Sequence, residues 1–304
     1  MPDQEFKKTR PHPAKGPGQQ APGQQVRGVD PRRGGDAGVA APAPEFVELF
    51  VTTNFTFLTG ASHPEEFVAA AMAMGHFAAA VADVNTLAGV VRAHSAAKDA
   101  GVRVVIGSRI RMLDTQQSVL LLPTCVESYA RLCRLLTLGK RRAPKGQCHL
   151  TMDDVIAHER GMLAVVMPGD QAAEDDERLE ALERELSRWR EVFDDDRLSM
   201  ALVRRFGPDD AREMARLERA AARAGVPVLA SLDAHMHDPE RRALQDVLTC
   251  IRRGCTIDDA GASLHAHRER TLKPADEVLR LFGGRRDLLA RAVGVARRAL
   301  AFSM

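Results

Sequence analysis

Three groups of polar residues stand at the ends of short apolar runs. Asp83 follows FAAAVA (77–82), Ser108 and Arg109 follow VRVVIG (102–107), and Asp233, His235 and His237 follow the run VPVLASL (226–232) within SLDAHMH. A carboxylate and an imidazole two residues apart at a strand end can direct their lone pairs into one pocket, as divalent metals require. The same segment, followed by Asp238 and Pro239, also reads as a polar loop capping the next helix. Other clusters carry less. Asp194, Asp195 and Asp196 are consecutive and cannot all face one ion, so they read as a solvated turn before a strand. His265 and His267 resemble a metal pair but have only Glu269 nearby and read as a loop. His94 lies near a helix's apolar stripe and reads as a packing or capping residue. No Ser, Cys and His combine in a nucleophile-elbow pattern, which leaves covalent hydrolase chemistry without support.

These residues need elements to hold them. FVELFV (46–51) reads as a buried strand, and Ser62-His63-Pro64-Glu65 as a helix start, with Ser62 as cap, Glu65 completing a capping box and Gly75 ending the helix. Strands follow at 77–82 and 102–107 around a helix from Thr86 to Ala100. Next come a hairpin across 109–122, helices near 127–138 and 152–159, a strand at 162–167 and a charged helix to about Glu191. A strand at 198–203, a helix opened by Pro208 and Asp209, and a strand at 226–232 complete the alternation. Short apolar strands alternating with amphipathic helices indicate an α/β fold with a helix-covered parallel sheet, and the number of units favours a barrel. Functional residues then belong at the rim where strands end. Residues 239–304 read as helices outside it.

With 304 residues, 45% of them hydrophobic, the chain can bury a large core. Lys and Arg number 43 against 41 Asp and Glu, a net charge of +2, so no overall electrostatic footprint of a nucleic-acid binder exists. Five cysteines without a CxxC pair fit reduced thiols and a cytoplasmic location, and no apolar run suggests a membrane span. Residues 1–44, rich in Pro, Gly and Gln, have too few large apolar side chains to offset ordering and read as a disordered arm.

VTTNFTFLTGASHPEEF, VADVNTLAGVVRAHSAAK, VVIGSRI and GVPVLASLDAHMHDPERRALQDVLTCIRRG occur in the order and spacing of a PHP domain. The chain resembles the N-terminal PHP domain of bacterial error-prone C-family DNA polymerases, relatives of the DNA polymerase III α-subunit. The likeness runs from about Glu45 to the C-terminus and includes KRRAPKGQCHLTMDDV. It implies a distorted (β/α)7 barrel over 45–238, a helical post-PHP segment over 239–304 leading into a polymerase core, and polymerase aspartates beyond residue 304. In active members the rim holds divalent metals for phosphoester hydrolysis. Here Phe50 stands where the family has a histidine, Val84 where Asp83 normally has a histidine or glutamate beside it, and Arg109 where a glutamate is usual. Val203, Arg204 and Arg205 replace another expected histidine. Asp83, Asp233 and His235 alone match.

Three residual ligands cannot assemble the adjacent metals that clamp a phosphoester, so the resemblance implies a degenerate site with at most one weak zinc or manganese ion. Arg109 is expected as an internal counter-ion for a pocket lined by Asp83 and Asp233. The leading expectation is a structural or partner-docking domain of the DNA replication, repair and translesion-synthesis lineage. Its partners would be a polymerase core or other repair proteins, with DNA engaged indirectly. The nucleotidyltransferase step would lie elsewhere. A rival reading is a metal-dependent phosphoesterase or 3′→5′ exonuclease using Asp83, Asp233 and His235. A third is DNA binding through the arm and Lys140, Arg141 and Arg142.

Overall fold

The computed structural model describes residues 43–304. All but the last two residues of the expected arm therefore lie outside the described residues. Helix α1 (Pro64–Ala73) precedes β1 (Ala79–Val81), α2 (Val90–Ala100), β2 (Val104–Ile106), β3 (Ser108–Arg111) and β4 (Ser118–Pro123). Then follow α3 (Val126–Arg142), α4 (Met152–Ile156), β5 (Met162–Met167), α5 (Asp176–Val192), β6 (Leu198–Val203), α6 (Asp210–Arg223) and β7 (Val228–Ser231). The remainder is helical: α7 (Arg242–Arg253), α8 (Ile257–Ala260), α9 (Ala275–Leu281) and α10 (Arg286–Ala299). Among the described residues no helix is long and apolar enough to cross a membrane.

The regular strands form one sheet of β1 and β2 and another in the order β3-β4-β5-β6-β7. β1–β2, β5–β6 and β6–β7 are parallel, whereas β3–β4 and β4–β5 are antiparallel, so the hairpin interrupts the expected parallel repeat. A single residue, Gly107, separates β2 from β3. A Cβ there would lie 2.6 Å from Leu122 Cδ2, so only glycine lets the chain bend this close to β4.

The FVELFV run corrects a sequence expectation. It is buried, yet only Val51 makes a ladder bridge, to Ala234. The reason is Glu48 at its centre, whose carboxylate accepts the amide protons of Phe50 (2.8 Å) and Leu232 (2.5 Å), occupying groups that a regular ladder would pair. Single hydrogen bonds still seat the segment between neighbours: Thr52 N to Ala234 O and Ala82 N to Val51 O, both 2.9 Å. On the other side of β1, Val84 bridges Arg109. The two sheets are thus joined through the strand ends that carry the candidate residues.

Helix starts also differ. The cap of α1 is His63, and Glu66 rather than Glu65 reaches back to its amide at 2.7 Å. Ser62 is diverted because its hydroxyl meets His237 Nδ1 (2.8 Å) and accepts the His237 amide (3.0 Å). The helix expected from Thr86 begins at Val90, since Asn85 has φ +53° and residues 86–89 turn over the end of β1. The 152–159 helix is one short turn, and α3 continues to Arg142, whose guanidinium grips Asp154 at 2.8 and 2.9 Å. Outside the sheets, α10 packs against β7. Its Arg291 reaches Ser199 Oγ (2.9 Å) and both carboxylate oxygens of Asp196 (2.7 and 2.8 Å).

Candidate functional site

Asp83 is fully buried just past β1. It accepts three hydrogen bonds from the 53–56 loop: Thr53 N (2.9 Å), Thr53 Oγ1 (2.8 Å) and Thr56 Oγ1 (2.7 Å). Burial raises its pKa, and the threonine bonds oppose the rise. Gly89, which caps α2, packs so closely that a Cβ would lie 2.9 Å from Asp83 Oδ2. The carboxylate is enclosed by hydroxyls and backbone rather than by other ligands.

Asp233, two residues past the end of β7, adopts φ +49°, a left-handed conformation that Asp tolerates better than most residues. There its Oδ1 meets Arg109 Nη1 at 2.9 Å and its Oδ2 meets Arg270 Nη1 at 3.2 Å. Burial works against ionisation, but the two guanidiniums hold the Asp233 carboxyl well below the usual carboxylate range. Arg109 is itself fixed: its Nε donates to Ser118 Oγ (2.8 Å) and its guanidinium lies 5.7 Å from the Phe50 ring centroid. The residue in the expected histidine's place thus supports the one in the expected glutamate's place. Val84 contributes through its backbone: the bridge to Arg109 and an amide that donates to Thr56 Oγ1 at 3.0 Å. The Arg109 guanidinium pairs with Asp233 and makes no hydrogen bond or ion pair to the Asp83 carboxylate, which corrects the expectation of one counter-ion serving both.

His235 stands beside Asp233, its Nε2 3.7 Å from Oδ1 and 3.3 Å from Arg270 Nη1. With Arg270 donating to Nε2, the proton sits on Nδ1, which is buried without a partner. Burial lowers the His235 pKa. The His265 ring packs edge-on at 5.5 Å, its pKa lowered to about 3 by burial and by Arg270, so both imidazoles are neutral. His267 is held apart, bonding the Arg205 carbonyl (2.8 Å). At the end of β6, Arg204 pairs with Asp210 (3.1 Å) and Arg205 with Asp170 (2.5 Å).

These residues do not fit a catalytic metal. Among the described residues no group of three or more His, Cys, Asp or Glu is arranged to hold an ion. The His235 Nε2 lone pair faces a guanidinium, and a cation beside Asp233 would meet Arg109 and Arg270.

Sequence reasoning missed Arg270, Glu48, Thr53 and Thr56. Arg270 lies 35 residues past His235 in an irregular segment, and is set by backbone bonds from His235 and Met236 to its carbonyl at 2.9 and 3.2 Å. A lone glutamate inside the apolar FVELFV run was the one available signal for Glu48. Its pKa is raised to about 7, chiefly by burial, despite bonds from Leu232, Ser231 and Phe50.

A family model described as the PHP domain matches residues 48–205, just over half of the chain. The chain belongs to the PHP family. It is 44% identical to error-prone DNA polymerase 1 of Agrobacterium fabrum over 256 residues, 84% of this chain and 23% of that protein. It is 41% identical to the error-prone DNA polymerase of Caulobacter vibrioides over 255 residues, covering 84% and 23%. This PHP chain therefore spans about a quarter of the length of the curated relatives it matches. Among solved structures it is similar to a two-domain protein from Bacteroides vulgatus containing a predicted PHP-like metal-dependent phosphoesterase. That match has 13% identity and a TM-score of 0.42, covering 83% of this chain and 70% of that one.

Proposed function

We propose that the chain is the N-terminal PHP domain of an error-prone DNA polymerase, and that an ion-pair network stands in place of the metal centre. The domain serves DNA repair and translesion synthesis by packing against a polymerase core, and it hydrolyses no phosphoester itself. The likeness to error-prone polymerases supports the lineage. The double pairing of Asp233 by Arg109 and Arg270 supports the loss of metal chemistry, because fixed positive charge occupies the carboxylate a metal would need.

Calorimetric titration tests this reading. Zinc or manganese added to the unmodified chain is expected to show no sub-micromolar binding. Arg109→Met is expected to lower stability by about 2 kcal/mol, less than the ~3–5 kcal/mol of a fully orphaned buried charge because Arg270 remains. Stoichiometric metal in the purified protein, with phosphatase activity abolished by Asp233→Ala, would overturn it in favour of a phosphoesterase or exonuclease.

A further inference from the structure

Beside the Asp233 network, a cavity of about 850 Å³ opens over the β3–β4 hairpin. Arg109, Arg111 and Arg178 line it together with one carboxylate, Asp170, which is paired with Arg205 at 2.5 Å. Arg178 is already paired with Glu174 and Asp175. Arg111 differs, for its guanidinium has no hydrogen-bond or ion-pair partner among the described residues. Arg109 gives Nε to Ser118 and Nη1 to Asp233, which leaves Nη2 without an acceptor among them.

The placement of Arg111 is built. Asn85, held at φ +53° past β1, accepts the Arg111 amide on Oδ1 (3.0 Å) and donates Nδ2 to the Arg111 carbonyl (3.3 Å). A side-chain amide thereby substitutes for a neighbouring strand and fixes the residue at the edge of β3. The Arg111 side chain is exposed at the cavity's edge; partial desolvation and repulsion from the nearby Arg109 lower its pKa, while the Asp233 and Asp170 carboxylates oppose the shift. An anion entering the cavity relieves that repulsion and takes the free donors in the fork geometry suited to phosphate oxygens.

We propose that this cavity is a metal-free binding site for a phosphate ester of nucleotide size, with Arg111 and the free edge of Arg109 as its phosphate donors. A cavity of this volume is roomier than a bare phosphate needs and lies within the range of small-ligand sites, roughly 300–1,000 Å³. The exposed Gln116 supplies a side-chain amide for a sugar or base, whereas the Thr115 hydroxyl is taken by Glu185 and Gln117 Oε1 by the Gly169 amide. The ligand is either a free nucleotide or one nucleotide unit of a single strand, since the phosphate chemistry is shared. The site uses none of Asp83, Asp233 and His235 as ligands and stands independently of the polymerase reading.

The test measures binding of thymidine 5′-monophosphate and of a fluorescent 5′-phosphorylated oligothymidylate to the full chain in EDTA. Binding should persist in EDTA and weaken as salt is raised. Arg111→Glu should weaken it at least tenfold, whereas Arg141→Glu, the same charge change on exposed α3, should leave it within twofold. Monophosphate binding identifies a free-nucleotide site, and oligothymidylate binding alone identifies a strand unit; both support the proposal when they depend on Arg111. No binding of either probe, binding only in added metal, or equal losses in the Arg111 and Arg141 variants would overturn it. Unchanged circular dichroism of each variant establishes that the fold survives.

Discussion

Burial penalises an ionised carboxylate, and two carboxylates at this rim respond in opposite directions. Asp233 has Arg109 and Arg270 and stays ionised; Glu48 has only backbone and hydroxyl donors, and its pKa rises to about 7. A pKa above the unfolded value means that the folded state holds the proton more tightly. Glu48 therefore contributes its full stabilisation below about pH 4.5, and this is lost as pH rises to 7 and beyond. The shift from 4.5 to about 7 corresponds to roughly 3 kcal/mol across that window. Thermal melts at pH 5 and pH 8 should show wild-type stability falling more steeply than that of Glu48→Gln, which cannot titrate. The variant should also be about 1–3 kcal/mol weaker at pH 5, because an amide nitrogen would face the Leu232 N–H. Parallel profiles for the two proteins would exclude Glu48 as the titrating group. At this scale the sequence displayed Arg109 and Asp233 because each ends an apolar run. It concealed Arg270, because an irregular loop has no periodicity from which to infer what it meets.

Among the elements, hydrophobic pattern located burial more reliably than bonding. The residues of FVELFV are interior, but a charged side chain took over part of their backbone pairing. The Ser62 cap failed for a similar reason: local capping rules rank hydroxyls well, but His237, 175 residues away, offered Ser62 another partner. The Asp194–Asp196 turn was read as solvated, and all three residues are exposed; even so, Asp194 pairs with Arg197, and Asp196 receives Arg291 and Arg298 from α10. Arg291→Met keeps the stem but removes the bonds to Asp196 and Ser199, and is expected to cost about 1–2 kcal/mol. Hydrogen exchange should quicken in α10 and at the start of β6. Exchange that rises only in distant helices would show that this link does not hold α10 in place.

Across the whole molecule, the chain builds an α/β architecture around a large apolar core, and among the described residues no group of ligands is arranged to hold a metal. A ligand that binds only the folded state raises its melting temperature, and removal of such a ligand lowers it. Dialysis against EDTA should therefore leave the melting curve unchanged, as should added zinc or manganese. A downward shift after chelation would reveal a metal that contributes to folding. The α/β alternation was legible because apolar runs and amphipathic stretches follow different periods. The antiparallel course of β4 between β3 and β5 was only partly so, since pairing direction depends on what the turn brings alongside.

Glu48 and Ser231 meet across 183 residues of sequence. On a ribosome, the apolar FVELFV segment leaves the exit tunnel long before its partner exists. At about 5–20 residues per second, it waits on the order of 10–40 s for the 231–234 stretch to be made. During that interval the nascent chain carries an unsatisfied sticky edge, so slower translation of the middle of the message extends its exposure to aggregation and to chaperone capture.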